Sequence, residues 1–264
     1  MEHYVTLLKM GAFSREDVAG ITGNIRTADS LLYSYKKKGW IASVRRNLYV
    51  AISLETGQPV CNPYQIAAHI SPDAYVSHHS AFEVHGMANQ VFSDLYVSTS
   101  AVFRPFEFDG KHFERVPSIT IEGVKEIGKI RVTDLERTVV DSIKDFAKIG
   151  GLEELLRCLM MITYADADKL TRYLTIYDNC FLWQKAGYIL SHFPNMKLPA
   201  LFFDTCKDNA RKNVRYLYED IKKESPVFES EWGLYVPKDM MKLLESSFIT
   251  ENSHNNHQNQ LITT

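Results

Sequence analysis

The first fifty residues constrain the chain most. Ser14-Arg15-Glu16-Asp17 has the form of a helix start: a hydroxyl able to accept from an orphan backbone N–H, then acids in the first turn. The short helix it opens carries Val18 and Ile21 and stops between Gly20 and Gly23. A second helix is predicted from about Arg26 to Lys38, closed by Gly39. Its residues Ile25, Ala28, Leu32 and Tyr35 recur at spacings of three and four and so share one face. The other face carries Arg26, Ser30, Tyr33 and Lys37, with Thr27 and Ser34 beside it. Trp40-Ile41, Val44 and Leu48-Tyr49-Val50 then alternate as in a two-stranded ribbon with Arg45-Arg46-Asn47 at its tip. Two helices and a ribbon in this order predict a winged helix-turn-helix.

A helix fits the DNA major groove, where each base pair shows its own donor and acceptor pattern. Arg26, Thr27 and Ser30 lie near the start of the second helix, the end that meets base edges in this motif. Tyr33 and Lys37 are placed to anchor the helix, Lys36 and Lys38 to reach phosphates, and Arg45 and Arg46 to grip flanking backbone. Residues 1–50 hold eight basic side chains (Lys9, Arg15, Arg26, Lys36, Lys37, Lys38, Arg45, Arg46) against four acidic ones, a net of +4. The whole chain is −2, which leaves −6 for the remainder. A basic head on an acidic body is the electrostatic footprint of a nucleic-acid binder. Protein docking through the same helical module is the plainer reading of the same residues.

Length allows two domains in 264 residues, and 45% hydrophobic content supplies ample core. Cys61, Cys158, Cys180 and Cys206 are scattered, with no zinc-ribbon or redox spacing. The first residues are polar and charged, unlike a signal peptide, and no apolar run approaches the roughly 18 residues of a membrane span. A cytoplasmic chain with no membrane contact is expected.

Thr56, Gly57, Gln58 and Pro59 mark a linker. Asn62-Pro63 opens a helix through Ile70, Ala74-Tyr75-Val76 is a short strand, and a helix from Ser77 or Ser80 ends at Gly86. Strands are predicted over 90–98, 103–108, 113–121 and 127–132, with Asp109-Gly110 as a hairpin turn. Thr133-Asp134 caps a helix running through Asp145, and helices follow over 152–162, 166–177 and 180–193. Lys207 to Lys223 is expected to be helical only in part, and Ser230 to Pro237 extended. The Asn/His/Gln-rich end lacks apolar residues and reads as disordered. The expected architecture is α/β (α+β): a winged helix at 1–52, a mixed domain with a small sheet and a helical C-terminal part at 60–245, and a polar tail at 246–264.

Three segments together resemble the AbiEi family, the antitoxins of type IV abortive-infection toxin–antitoxin systems. They are the Arg45-Arg46-Asn47-Leu48-Tyr49-Val50 tip, Tyr75 through Gly86 (YVSHHSAFEVHG), and Ile130 through Asp141 (IRVTDLERTVVD). Asn47 stands where the family pattern has a glycine; Asn tolerates positive φ best among the other residues. The resemblance spans roughly residues 1–145. It implies a transcriptional autorepressor that binds promoter inverted repeats as double-stranded DNA. It also implies neutralisation of a nucleotidyltransferase-like toxin in phage defence.

Other chemistry reads more blandly. His78 and His85 are seven residues apart, not at the four-residue spacing of zinc helices, so these imidazoles, with His79, are expected to cap the helix and face strands. Asp134, Glu136, Arg137 and Asp141 suggest a metal-dependent nuclease as an alternative, but Arg137 and Asp141 have the spacing of a helical ion pair. No nucleophile elbow or glycine-rich phosphate loop is present in the sequence. No catalytic residue, metal or cofactor is expected. The remaining alternative is a regulator of unrelated genes that responds to a ligand in the aromatic middle region.

Overall fold

Capping chemistry sets the first elements. A computed structural model describes residues 2–210 and 213–244. Helix α1 (Glu2–Met10) precedes the first helix expected from sequence. It buries Tyr4 and Leu7, with Leu8 and Met10 packed beside them. Strand β1 (Ala12–Ser14) leads into α2 (Arg15–Thr22), whose N-cap is Ser14 in a full capping box with Asp17. Helix α3 (Ile25–Lys37) follows, and then β2 (Ile41–Arg45) and β3 (Leu48–Ala51). The ribbon gains a third strand in the order β1-β3-β2, because β1 pairs antiparallel with β3.

Alternation along these strands feeds two cores. Phe13, Ile41 and Ala51 pack with Tyr4, Leu7, Val18, Ala28, Leu32 and Tyr35. Ala12, Val44, Leu48 and Val50 pack instead with Val76, Leu95, Val97, Phe113 and Val132 of the larger sheet. That sheet follows α4 (Pro63–Ala67), which Asn62 caps reciprocally with Gln65. It contains β4 (Tyr75–Val76), which precedes α5 (His78–His85), then β5 (Asp94–Thr99), β6 (Phe106–Phe108), β7 (Lys111–Pro117), β8 (Val124–Ile127) and β9 (Ile130–Thr133). The strand order is β6-β7-β5-β4-β9-β8, with β5–β7 and β4–β9 parallel and the other pairs antiparallel. Asp109 and Gly110 both take positive φ at the β6–β7 turn, as the hairpin reading requires. The strand expected over 127–132 is instead a hairpin: Gly128, at φ 61°, turns β8 back into β9.

The chain divides into two compact units, residues 1–84 with 90–134 and residues 85–89 with 135–264. The second contains α6 (Leu135–Lys144), α7 (Leu152–Met160), α8 (Ala167–Tyr177), α9 (Cys180–Ser191) and α10 (Ala200–Asn209). A small sheet of β10 (Arg215–Tyr216), β11 (Val227–Glu229) and β12 (Leu234–Val236), in the order β10-β12-β11, completes its described part. As expected, 207–223 is helical only in part: α10 ends at Asn209, and β10 and a 3-10 turn at Asp220–Lys223 follow. Gly187 lies mid-helix in α9 because a Cβ there would sit 2.1 Å from the Trp232 ring. The predicted tail at 246–264 lies outside the described residues. The mixed α+β class is thus seen directly, and among the described residues no helix is long and apolar enough to cross a membrane.

The charged cluster of α6 is internal to the second unit. Arg137 Nε and Asp141 Oδ1 are 2.7 Å apart, and each side chain is 2% exposed. Tyr177 donates to the same Oδ1 at 2.5 Å, and the guanidinium lies 5.8 Å from the Tyr173 ring and 5.4 Å from that of Tyr177. Burial and the Asp141 charge push the Tyr177 hydroxyl well above its ordinary pKa, so it stays a donor. Removing one member strands a buried charge, which costs about 3–5 kcal/mol. Arg137→Ala is therefore expected to lower unfolding free energy by about that amount in urea titrations. A loss below about 1 kcal/mol, the level of an exposed pair, would show that burial adds nothing to this pair.

Candidate nucleic-acid interface

Asn24 places α3. Its Oδ1 accepts from the backbone N–H of Arg26 at 2.8 Å and of Thr27 at 3.3 Å, satisfying two of the orphan donors of the helix start. The helix thus begins one residue before the expected start at Arg26, behind the Asn24 cap. Asn directly before an apolar-periodic run is the signal that could have found it. Ala28, Leu32 and Tyr35 are buried as the periodicity predicts. Ile25 is 39% exposed, because it opens the helix before the packed stripe begins.

Tyr35 meets Tyr4 and Trp40, with ring centroids 6.2 Å and 5.0 Å away. Tyr4 also donates to the Ile52 carbonyl at 2.5 Å. The aromatic cluster fixes the far end of α3, so the orientation of its outer face is set by packing.

That outer face is solvent-exposed along its length: Arg26, Thr27, Ser30, Tyr33, Lys36 and Lys37, continued by Lys38. Tyr33 is 73% exposed, an aromatic ring left in water. Ser30 donates its hydroxyl to the Arg26 carbonyl at 3.1 Å. Lys38 lies 4.8 Å over the Trp40 ring, which partly commits it to the fold. The acid on α3, Asp29, is taken up by Arg15 of α2 in a bidentate pair of 2.6 Å and 2.7 Å. That contact also holds the Asp29 carboxyl below its ordinary pKa.

The β2–β3 tip is tied back to α2. Asn47 has φ 65°, the left-handed region that a glycine would also adopt. Its Oδ1 accepts from the Arg15 N–H at 3.1 Å and its Nδ2 donates to Glu16 Oε2 at 2.7 Å. The second contact lowers the Glu16 carboxyl below its usual range. Asn47 therefore does more than tolerate the turn, since its amide fixes the tip against the neighbouring helix.

The structure separates the two tip arginines. Arg46 is exposed, whereas Arg45 is half-buried, with its guanidinium 5.2 Å from the Phe103 ring and 5.4 Å from that of Phe106. Burial lowers the Arg45 pKa, but arginine stays charged throughout the accessible range. Of the two side chains expected to reach outward, Arg46 does so and Arg45 does not. A register shift between Ser43 and Arg45 turns Arg45 toward the larger sheet.

Of the histidines singled out in the sequence, His78 and His79 are buried in the first unit, and His85 opens the short segment 85–89 of the second. His78 Nδ1 is 2.9 Å from the Ser77 hydroxyl, and His79 stacks on Phe92 with its Nδ1 3.1 Å from Glu83.

No family model matches the chain, and no curated protein matches it. Among solved structures it is similar to the crystal structure of the RV2827C protein from Mycobacterium tuberculosis. The TM-score is 0.60 at 16% identity, with 89% of each chain covered. At that identity the likeness is one of fold.

The cap of α3 offers a direct check. Asn24→Ala is expected to cost about 1 kcal/mol in chemical denaturation. Asn24→Asp or Asn24→Ser is expected to restore most of it. A neutral Asn24→Ala would mean that packing alone places the helix.

Proposed function

We propose that this chain is a DNA-binding transcriptional autorepressor, its N-terminal module acting as a winged helix-turn-helix and serving as the antitoxin of a type IV toxin–antitoxin operon. The observation that carries the DNA reading is the outer face of α3. Six side chains that donate or carry positive charge or a free ring stand exposed there, and the acid between them is paired with Arg15. On this reading Arg26, Thr27 and Ser30 meet base edges in the major groove. Tyr33, Lys36 and Lys37 hold phosphates, and Arg46 at the β2–β3 tip reaches flanking backbone. Lys38 and Arg45 contribute less directly, because each lies against aromatic rings of the fold. One module supplies few contacts, so two copies on an inverted repeat are expected to bind together.

The antitoxin role and the nucleotidyltransferase-like toxin rest on the resemblance to the AbiEi family. The nuclease alternative, which needs Asp141 as a metal ligand, is disfavoured because Arg137 and Tyr177 already occupy its Oδ1.

Mobility-shift titrations on the chain's own promoter test the reading. Arg26→Ala combined with Arg46→Ala is expected to abolish the specific complex while leaving the circular dichroism spectrum unchanged. Lys37→Gln is expected to weaken all duplexes alike and to reduce the slope of log K against log salt by about one. Titrations unaltered in both variants would remove the DNA surface from α3.

A further inference from the structure

The first unit contains a half-open cleft of about 1050 Å³, bounded by the β2–β3 tip, the end of α4 and the β8–β9 hairpin. Sites that hold drug-sized ligands measure roughly 300–1,000 Å³. Five cationic side chains line it, namely Lys9, Arg45, Arg46, Lys129 and Arg131. The acids there are Glu16, Asp17 and Glu126, so the lining carries a surplus of positive charge.

The acids and cations differ in how far they are already used. Glu16 accepts from Asn47, and Asp17 accepts the N–H and hydroxyl of Ser14. Arg131 donates to the carbonyls of Pro72, Ala68 and Ser71, and Lys129 donates to that of Lys9. Arg45 is different. Among the described residues its buried Nη1 has no hydrogen-bond partner, and no opposite charge offsets the lowering of its pKa by burial. Arg46 next to it is exposed. A buried N–H normally has an acceptor beside it, because lost hydration must be replaced, and the half-buried Arg45 side chain that carries this one also lines the cleft. Phe103 and Phe106 supply part of that through their ring faces, and neither ring accepts a proton in the way an oxyanion does.

We propose that this cleft binds a phosphorylated small molecule, with Arg45 and Arg46 as its oxyanion ligands. The proposal rests on the DNA reading in one respect: the same tip is assigned to the DNA backbone. Ligand and duplex then compete for Arg46, so DNA affinity falls as the anion is added. The cleft thereby gives the repressor a metabolic input.

Calorimetric titration of the full chain without DNA tests it, using tripolyphosphate and ATP as probes at about 100 mM salt, where non-specific ion pairing is screened. Saturable binding of at least one probe is expected, weakened at least tenfold by Arg46→Gln and by Arg45→Met. Arg46 is exposed, so Arg46→Gln keeps the test valid if Arg45→Met disturbs packing. Tighter binding of ATP than of tripolyphosphate assigns part of the site to a nucleoside, and equal binding assigns it to the phosphates alone. Either result supports the cleft as a phosphate site. Absence of saturable binding for both probes, or binding unchanged by Arg46→Gln, overturns it. Arg26→Ala, outside the cleft, is expected to retain anion binding. Anion binding with no duplex binding by the wild-type chain would sink the DNA reading and leave the cleft standing.

Discussion

The two-sided burial of one short strand organises the first unit. In β3, Leu48 and Val50 point into the core shared with the larger sheet, while Tyr49 and Ala51 point toward α1, α2 and α3. Side chains alternate along a strand, so a four-residue segment can serve two cores at once. Strand β1 does the same with Ala12 and Phe13. Large-to-small changes on such a strand forfeit burial on either side, at a few kcal/mol for each large side chain. The β1-β3-β2 sheet is in consequence a fixed wall against which α3 is packed.

Presentation of the cationic face follows from that wall. The stripe Ala28, Leu32 and Tyr35 seats α3 inward, so the residues between must point out. Local polar contacts then refine the surface. Arg15 neutralises Asp29, and Asn47 holds the tip to α2. Exposed ion pairs of this kind contribute little stability, and their effect here is on charge and orientation. The tip also illustrates how a backbone irregularity redirects chemistry. Val44 packs toward the larger sheet, and strict alternation would send Arg45 the other way. The register shift between Ser43 and Arg45 lets Arg45 follow Val44 to Phe103 and Phe106, leaving Arg46 outside.

The second unit treats its charges differently. Arg137 and Asp141 are buried and share hydrogen bonds with the half-buried Tyr177, and Glu136 accepts from the Asp166 N–H and from Lys169. Acids in a compact cluster often invite a metal or catalytic reading. Here the partners of each carboxylate are helix ends and side chains that join α6 to α8.

Much of the local structure was legible in the sequence because its causes are local. Ser14 and Asp17 cap α2, Asn62 with Gln65 caps α4, Asp109-Gly110 turns a hairpin, and the spacing of Ala28, Leu32 and Tyr35 marks a buried stripe. The i, i+4 ion pair of Arg137 with Asp141 belongs to the same class. Helix α1 carries Tyr4, Leu7 and Leu8 at helical spacing and was open to a sequence reading, whereas β1 has three residues and depends on a partner distant in sequence. The split of Arg45 from Arg46, the role of Asn47 and the cationic cleft were likewise decided by tertiary structure. Each requires residues dozens of positions apart to meet, such as Arg45 with Phe103 or Asn47 with Glu16. Sequence alone therefore determined which faces are apolar and which are charged. Only the packing of those faces decided which charges remain in water and which are turned inward, because desolvation is a property of the surroundings that close over a side chain.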